Sequence, residues 1–386
     1  MQTSLISGKQ ISIVGGGPVG LTLACLLQQR GASVTVYERD PGPEYIRTSG
    51  GTLDVRAESG QRALVAAGVI DRFRQLARPT GERMADHQGV ISDDEMVDEN
   101  DFTRPEIDRL DLNRLLLERL APGTVVWDQN FQALEPRDGR FVLHFAGQPD
   151  GVADVVIGAS GTRSRVRAYV TGTIPEFTGT VAIQGSIPDP KTRCPAFATL
   201  VNGGNLMARG EGKMLFAHTR ADGDFHYYLS FRRPADWLAQ QGLVPEPAAV
   251  AQFLANELAH WAPVYHEGFR ATTEFQFLGI YCVPMVASRP VTQPITLVGD
   301  AAHAMSPFAG IGVNIGLVDA LNLAENLTNG QFASLEDAIQ AYEQTMYGYA
   351  HTAQEESADA ELFIHSDMSA EEMMAATRGP HEAAQQ

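Results

Sequence analysis

Cysteine is scarce in this sequence of 386 residues, and its few copies have no regular spacing. The three cysteines, Cys25, Cys194 and Cys282, are odd in number and far apart, without a Cys-x-x-Cys pair. This pattern excludes a disulfide framework and fits a reducing compartment, so we expect each thiol to fill space in a core. The ten histidines lack the spacing of paired zinc ligands, and no metal site is predicted.

Long apolar runs are absent as well. No stretch approaches the roughly 20 apolar residues of a membrane span, and Met1 to Gln10 has no apolar core of signal-peptide length. We therefore expect no membrane partner and a cytoplasmic location. With 44% hydrophobic and 20% charged residues and no low-complexity tract, the chain is predicted to fold. Two domains are expected, since a single core rarely exceeds roughly 300 residues.

Positive charge is scarce too. Twenty-nine lysines and arginines stand against 47 aspartates and glutamates, which gives a formal net charge of -18. A surface of this sign repels nucleic-acid phosphates and anionic membranes. We therefore expect no nucleic-acid partner. The protein is expected to be a monomer with a small-molecule substrate.

What is present begins with the pattern of a strand, a helix and a second strand. An apolar run, a helical periodicity that stops at Gly31 and an alternating β-branched run occupy Ile11 to Val14, Val19 to Arg30 and Ser33 to Tyr37. A unit of this length suits two parallel strands joined by a crossover helix.

The turn after the first strand has the Gly-x-Gly-x-x-Gly spacing of dinucleotide-binding proteins. Gly15 permits a tight turn, Gly17 lets the backbone approach a pyrophosphate, and Gly20 allows the helix to pack closely on the strand. Glu38, 18 residues after Gly20, ends the second strand, where a carboxylate can accept the hydroxyls of an adenosine ribose. A solvated strand-end charge is the alternative for Glu38. Further cofactor contacts are expected from the neighbouring residues Pro18 and Arg39.

A second glycine-rich segment, ITLVGDAAHAMSPFAGIGVN, distinguishes FAD from NAD and NADP. Its apolar strand ends at Gly299-Asp300, and small residues and glycines then lead into a helix. The segment resembles the second dinucleotide-contact segment of FAD-dependent aromatic hydroxylases. By that resemblance Asp300 binds the ribityl chain, and the following helix N-terminus faces the flavin where negative charge develops on reduction. An aspartate that caps the next helix is the alternative. The implied cofactor contacts after Asp300 are Pro307, Gly310, Gly312, Val313 and Asn314.

Dispersed matches narrow the resemblance to the tetracycline-inactivating, Tet(X)-type monooxygenases. They are VGGGPVGLTLACLLQQRGASVTVYERD, SGGTLDV, RPEIDR, TVVWD, LVNGGNLMA, VGDAAHAMSPFAG, GLVDA and AQEES. The resemblance implies FAD and NADPH as cofactors, dioxygen as co-substrate, and hydroxylation of a tetracycline-type antibiotic, which would inactivate it. A hydroxylase of another phenol or polyketide and a non-catalytic FAD-binding protein are the alternatives.

The implied fold class is α/β, with a Rossmann-like FAD-binding domain, a second domain built on an antiparallel sheet, and a C-terminal helix. Aromatic strand patterns at Lys213 to His218 and Asp224 to Phe231 also favour an antiparallel sheet with one face over a pocket. The predicted FAD-binding domain is discontinuous and comprises 1–72, 105–170 and 275–330. Residues 73–104 and 171–274 form the predicted substrate domain, and 331–378 a helical segment that bridges the two.

Matching positions also imply roles for single residues. Arg47 would contact NADPH, while Asp54 and Arg109 would contact FAD together with Asp300. A local salt bridge is the alternative for Arg47 and Asp54, and a surface charge for Arg109. The implied substrate pocket contains Gln184, Asn205, Met207, Phe216, His226, Pro307, Phe308, Ala309 and Gly310. Core packing is the alternative for Phe216 and Phe308, and a hydrogen-bonded sheet histidine for His226.

Three positions depart from the family pattern. Ser160-Gly161 stands where Asp-Gly is expected, which weakens a role for Ser160 in nicotinamide binding, although Ser164 and Arg167 fit. Asn205 replaces an arginine of the Tet(X) branch, and Tyr228 replaces a small residue. The last two changes bear on the substrate and not on the chemistry.

Overall fold

Apolar strand patterns and amphipathic helical segments alternate along the chain, and the computed structural model describes residues 5–45, 51–237, 240, 246–286 and 289–366. The helices are α1 (Pro18–Gln29), α2 (Gly60–Ala66), α3 (Ile70–Leu76), α4 (Arg109–Arg119), α5 (Pro190–Arg193), α6 (Pro195–Val201), α7 (Pro247–Glu257), α8 (Pro263–Ala271), α9 (Asp300–His303), α10 (Gly312–Thr328) and α11 (Leu335–Ile364). Short 3-10 turns occupy Pro43–Tyr45, Val166–Tyr169 and Pro307–Ala309.

The strands carry the β-branched and aromatic runs. They are β1 (Gln10–Val14), β2 (Ser33–Tyr37), β3 (Thr52–Asp54), β4 (Glu82–Asp86), β5 (Ile91–Asp94), β6 (Glu106–Asp108), β7 (Val125–Val126), β8 (Phe131–Arg137), β9 (Arg140–Phe145), β10 (Gln148–Ala153), β11 (Val155–Gly158), β12 (Glu176–Ile187), β13 (Asn205–Gly210), β14 (Lys213–Thr219), β15 (Phe225–Arg232), β16 (Glu274–Cys282) and β17 (Ile295–Leu297).

The predicted strand, helix, strand unit is confirmed at the N-terminus. β1 and β2 pair in parallel within a five-stranded sheet of order β17-β11-β1-β2-β7, all of whose pairs are parallel. Helix α1 ends at Gln29, and Gly31 follows its C-cap with φ of 82°, in the left-handed region that glycine tolerates. The parallel order brings the carboxyl ends of β1 and β17 to one edge of the sheet, where ligands of open α/β folds bind.

The predicted antiparallel sheet is also confirmed. It has seven strands in the order β16-β12-β15-β14-β13-β4-β5, and only the β13–β4 pair is parallel. Two helices, α5 and α6, interrupt the region from Thr180 to Phe231 in which strand patterns dominate. Pro190 and Pro195 start them, because proline fits the first helical position and cannot donate to a sheet ladder.

Buried apolar side chains form two clusters, one around the parallel sheet and one on a face of the large sheet. We propose that they are the cores of the predicted FAD-binding and substrate domains. Helix α11 begins after Ser334, whose Oγ caps it by accepting from the Asp337 N–H at 3.0 Å. Among the helices of the described ranges, none combines the length and apolar character that a membrane crossing requires.

Candidate active site

The glycines of the first turn differ in what surrounds them. Gly15 has φ of 118°, and a Cβ on it would lie 2.5 Å from the Ala159 carbonyl oxygen. A Cβ on Gly20 would lie 2.2 Å from the Gly15 oxygen, so close packing requires both glycines. A Cβ on Gly17 would meet no atom of the described chain within 4 Å. Gly17 therefore borders open space at the N-terminus of α1, which has no side-chain cap there, as a pyrophosphate site needs.

Glu38 is held beside this turn by two backbone donors. Its carboxylate accepts from the Gly16 N–H at 2.5 Å and from the Asp40 N–H at 3.0 Å. Pro18 is buried in the first turn of α1, and Arg39 is exposed next to Glu38. The strand-end carboxylate thus lies directly beside the first glycine turn.

The second turn contacts the first through Val19 of α1. A Cβ on Gly316 would lie 2.6 Å from Val19 Cγ2 and 3.2 Å from Gly299 Cα, and a Cβ on Gly299 would lie 3.3 Å from the same methyl group. The structure therefore brings together the Gly15–Gly20 turn and the Gly299–Asp300 turn, nearly 280 residues apart in sequence. Asp300 is exposed, and its carboxylate has no hydrogen bond or ion pair within the described ranges.

Arg167 connects the segment that contains Ser160-Gly161 to the Gly299–Asp300 turn. Its guanidinium donates to the Ala301 carbonyl at 2.8 Å, the Thr162 carbonyl at 2.7 Å and the Asp300 carbonyl at 3.3 Å. The neighbouring Ser160 hydroxyl donates to Ser164 Oγ at 2.9 Å. The family pattern identified Arg167, but nothing in the sequence indicated that it would fix the turn of Asp300.

The predicted cofactor residues Arg109 and Asp54 differ in their contacts. Arg109 is the first residue of α4, and its buried Nε has no hydrogen-bond partner among the described residues. Asp54, in contrast, forms salt bridges with Arg56 at 3.3 Å and Arg104 at 3.0 Å. Arg47 lies outside the described residues.

Asn314 joins strand β3 to the start of α10. Its amide nitrogen donates to the Asp54 carbonyl at 3.0 Å, and its amide oxygen accepts from the Arg56 N–H at 2.8 Å. Gly310 precedes the helix with φ of 67°. The first turn, which includes Gly312 and Val313, has neither an acidic residue nor a side-chain cap, so its N–H groups suit a ligand of negative charge.

One transverse row of the large sheet contains three predicted substrate residues. Gln184 on β12 is paired with Tyr228 on β15, Tyr228 with Phe216 on β14, and Phe216 with Met207 on β13. Neighbours in register point to the same side of a sheet. This side is opposite the apolar core, because the alternate residues Tyr227 and Leu229 belong to that core. Tyr228, Phe216 and Met207 are only half-buried, so their side chains keep accessible surface on this side of the sheet.

His226 lies in the next row of the sheet, and its ring is within hydrogen-bonding distance of two side chains. Its ring nitrogens lie 3.3 Å from Gln184 Nε2 and 3.0 Å from Ser186 Oγ, and burial lowers its pKa. His226 and Gln184 line a cavity of about 300 Å³ that Arg220 and Glu274 also border.

Asn205, in the same row, is less accessible than the sequence suggested. Its side chain is buried, and its amide nitrogen donates to the carboxylate of Glu106 on β6, which also accepts from Thr52 on β3. Burial raises the pKa of Glu106. His218, the cross-strand neighbour of Asn205 on β14, accepts from the Thr52 N–H at 3.4 Å. The sequence predicted no role for Glu106 or His218, although Glu106 lies within the RPEIDR segment.

The segment from Pro307 to Gly310 reaches the large sheet through His365. The Phe308 ring meets the His365 ring edge-on with centroids 4.9 Å apart, and His365 Nε2 lies 2.9 Å from Ser230 Oγ on β15. The Ala309 carbonyl accepts from Arg56 at 3.3 Å. The predicted substrate residues of this segment are thus connected to the sheet that carries the others.

A parallel dinucleotide-type sheet with two adjoining glycine turns, beside a second and mainly antiparallel sheet, is the architecture expected of a flavin-dependent oxidoreductase. A family model described as an FAD binding domain matches residues 9–188 and 263–353, and the chain belongs to this family. It is an FAD-dependent monooxygenase.

Relatives and solved structures agree with this class. Monooxygenase asqM of Emericella nidulans is 28% identical over 90% of this chain and 94% of its own. Kynurenine 3-monooxygenase of Stenotrophomonas maltophilia is 28% identical over 87% of this chain and 75% of its own. HpxO of Klebsiella pneumoniae, solved with FAD and uric acid, has a TM-score of 0.79 at 19% identity, with coverage of 98% and 93%. Tetracycline destructase Tet(51) has a TM-score of 0.72 at 19% identity, with coverage of 94% and 93%.

Proposed function

We propose that this monooxygenase uses NADPH and dioxygen to hydroxylate an electron-rich phenol or enol, and that a tetracycline-type antibiotic is its substrate and is inactivated. The carrying observation is the row of Gln184, Tyr228, Phe216 and Met207 on the open side of the large sheet. Burial raises the pKa of Tyr228 to about 12, and the positive charge of Arg109 opposes that rise. A predicted FAD contact therefore lies near the middle of the proposed substrate floor.

The residues at the two turns fit FAD. Open space faces Gly17, the α1 and α10 N-termini lack side-chain caps, and the Nε of Arg109 is buried without a partner in the described ranges. We propose that Glu38 binds the ribose, Asp300 the ribityl chain, and Arg109 an electronegative edge of the cofactor. When bound, FAD takes a hydride from NADPH and activates dioxygen for transfer of one oxygen atom.

The protein's own contribution is position and the exclusion of water. Tyr228 and Phe216 offer aromatic surface to a planar ring system, while the Gln184 amide and the Tyr228 hydroxyl can bond to its oxygens. A substrate fixed on this floor would react without the entropy cost of a free encounter, and its presence would keep water from the reactive oxygen. The Tet(X)-type segments distributed along the chain support the tetracycline assignment.

A smaller aromatic substrate is the second candidate. Relatives named 3-amino-4-hydroxybenzoate 2-monooxygenase, from Streptomyces cremeus, and kynurenine 3-monooxygenase share 26% and 28% identity with this chain. Tyr228 adds bulk to the floor, and Asn205 lacks the charge of the arginine it replaces. The bulk of Tyr228 favours a ligand of one or two rings over one of four.

The deciding experiment measures NADPH consumption by the FAD-loaded protein across tetracyclines, simple phenols and aminophenols, with the mass of each product. We expect one ligand class to stimulate consumption and to gain one oxygen atom. Stimulation by tetracyclines supports the first candidate, and stimulation by single-ring compounds alone supports the second. Oxidation of NADPH that no ligand stimulates, with every ligand recovered unchanged, would contradict both.

A further inference from the structure

Asp319 lies at the centre of a buried hydrogen-bond network behind the Gly299–Asp300 turn. Its side chain, on α10, has 0% exposure. Oδ2 accepts from the Gly299 N–H at 2.6 Å and lies 2.6 Å from His303 Nε2, and Oδ1 accepts from the Tyr349 hydroxyl at 2.6 Å. Donors from the turn, from α9 and from α11 thus converge on one carboxylate.

The charge of Asp319 is stabilised where it stands. An ionised carboxylate without partners would be very costly in a protein interior, but three donors compensate its lost hydration. Burial by itself would lower the pKa of His303, yet the Asp319 carboxylate and its hydrogen bond raise it overall. The Asp319 carboxylate thus favours the charged form of His303, and neither residue is a group that the monooxygenase reaction described above uses.

The backbone that Asp319 holds has an unusual conformation. Gly299 has φ of 61° and ψ of -145°, a region open essentially only to glycine. Its N–H is the donor to Asp319, and the next residue, Asp300, faces outward on the other side of the turn. A small rotation of Gly299 would move the Asp300 carboxylate away from the cofactor position.

We propose that Asp319, His303 and Tyr349 are positioning residues that hold the Gly299–Asp300 turn in its FAD-binding geometry, so that helix α11 sets cofactor affinity through Tyr349. The proposal rests on the role of Asp300 in FAD binding and is independent of the substrate. By this proposal helix α11 affects FAD binding, although the helix lies outside both glycine-rich segments of the sequence.

Helix α11 offers a matched control for the test. Tyr349 donates to Asp319, whereas Tyr342, fully buried on the same helix, donates to the Leu297 carbonyl at 2.9 Å. Tyr349→Phe and Tyr342→Phe remove the same hydroxyl from the same element. We expect Tyr349→Phe to raise the FAD dissociation constant about tenfold and to change the visible circular dichroism of the bound flavin. Tyr342→Phe should lower the melting temperature without either change.

His303 provides a rescue experiment. His303→Gln keeps a nitrogen donor for Asp319 and should bind FAD nearly as the wild type does, whereas His303→Leu removes the donor and should weaken binding about tenfold. Dissociation is measured on the holoenzyme from the recovery of FAD fluorescence on dilution. Equal changes in affinity for Tyr349→Phe and Tyr342→Phe, or wild-type affinity in folded His303→Leu, would overturn the proposal. Loss of all FAD binding with Asp300→Ala but none with these variants would leave the turn's role intact and remove only that of the network.

Discussion

The ring of Tyr228 stacks on the ring of His218, with centroids 6.2 Å apart and planes inclined by 29°. Gly51 makes this arrangement possible, because a Cβ there would lie 2.5 Å from His218 Cε1 and 3.2 Å from the Tyr228 hydroxyl oxygen. Within the described chain that hydroxyl has no hydrogen-bond partner, and its raised pKa of about 12 keeps it protonated at neutral pH. Tyr228 therefore has an unused donor in the middle of the row that we propose as the substrate floor.

Replacement of Tyr228 should separate hydrogen bonding from size. We expect Tyr228→Phe to raise the dissociation constant of the true substrate by about fivefold to tenfold through loss of one hydrogen bond. Tyr228→Ala should lengthen the cleft and improve the ratio of tetracycline to single-ring binding. Ligand titrations followed by flavin absorbance measure both. Unchanged affinity in both variants, with FAD bound normally, would exclude Tyr228 from the substrate site.

Gly17 can be tested without disturbing the fold. Since a Cβ there meets no atom of the described chain and its φ is -76°, Gly17→Ala should shift the melting temperature of the FAD-free protein by less than about 2 °C. The added methyl group should nevertheless weaken FAD binding about tenfold or more, because it occupies the pyrophosphate's approach. Gly348→Ala, also in open space, is the control that should leave FAD affinity unchanged. Tight FAD binding by Gly17→Ala would place the pyrophosphate elsewhere.

The position of Asn205 changes what an arginine there is expected to do. By sequence, Asn205→Arg restores a charge that should tighten tetracycline binding. In the structure the Glu106 carboxylate stands beside residue 205, so the new guanidinium should pair with it. We therefore expect the affinity for tetracycline to change by less than about threefold. A large gain, measured by the same flavin titration, would show that the arginine reaches the ligand.

His218 should make the protein sensitive to acid. Burial lowers the pKa of His218 from 6.5 to about 3, so between these values the unfolded chain binds a proton that the folded chain does not. Stability contributed by the neutral ring is therefore lost as the pH falls below about 6.5, by roughly 2 to 3 kcal/mol at pH 4.5. His218→Gln should flatten this part of the pH profile in urea unfolding, while His260→Gln, at a ring whose side chain is 81% exposed, should not. Parallel profiles for wild type and His218→Gln would contradict this.

The parts of the fold that sequence predicts best are those fixed by local geometry. The spacing of Gly15, Gly17 and Gly20 and the position of Glu38 describe one turn and one strand end, and such features depend on a few adjacent residues. The row from Gln184 to Met207 needed the resemblance, because no local pattern tells which of two sheet faces borders a cleft.

Contacts between distant segments could not be predicted from the sequence. The Asp319 network joins three elements, and the Glu106–Asn205 hydrogen bond joins two strands 99 residues apart. Each of these side chains has an ordinary alternative as a capping or surface residue. Only the assembled fold shows that these side chains are buried next to one another.

Helix α11 belongs to the core of the parallel sheet and is also hydrogen-bonded to the large sheet. Tyr342 donates to the Leu297 carbonyl in the parallel sheet, while the Phe363 carbonyl accepts from Arg209 in the large sheet at 3.0 Å. Heat should therefore not melt one half of the molecule and spare the other. A single cooperative endotherm, in which flavin release and loss of the cleft coincide, is the calorimetric consequence of this one continuous helix.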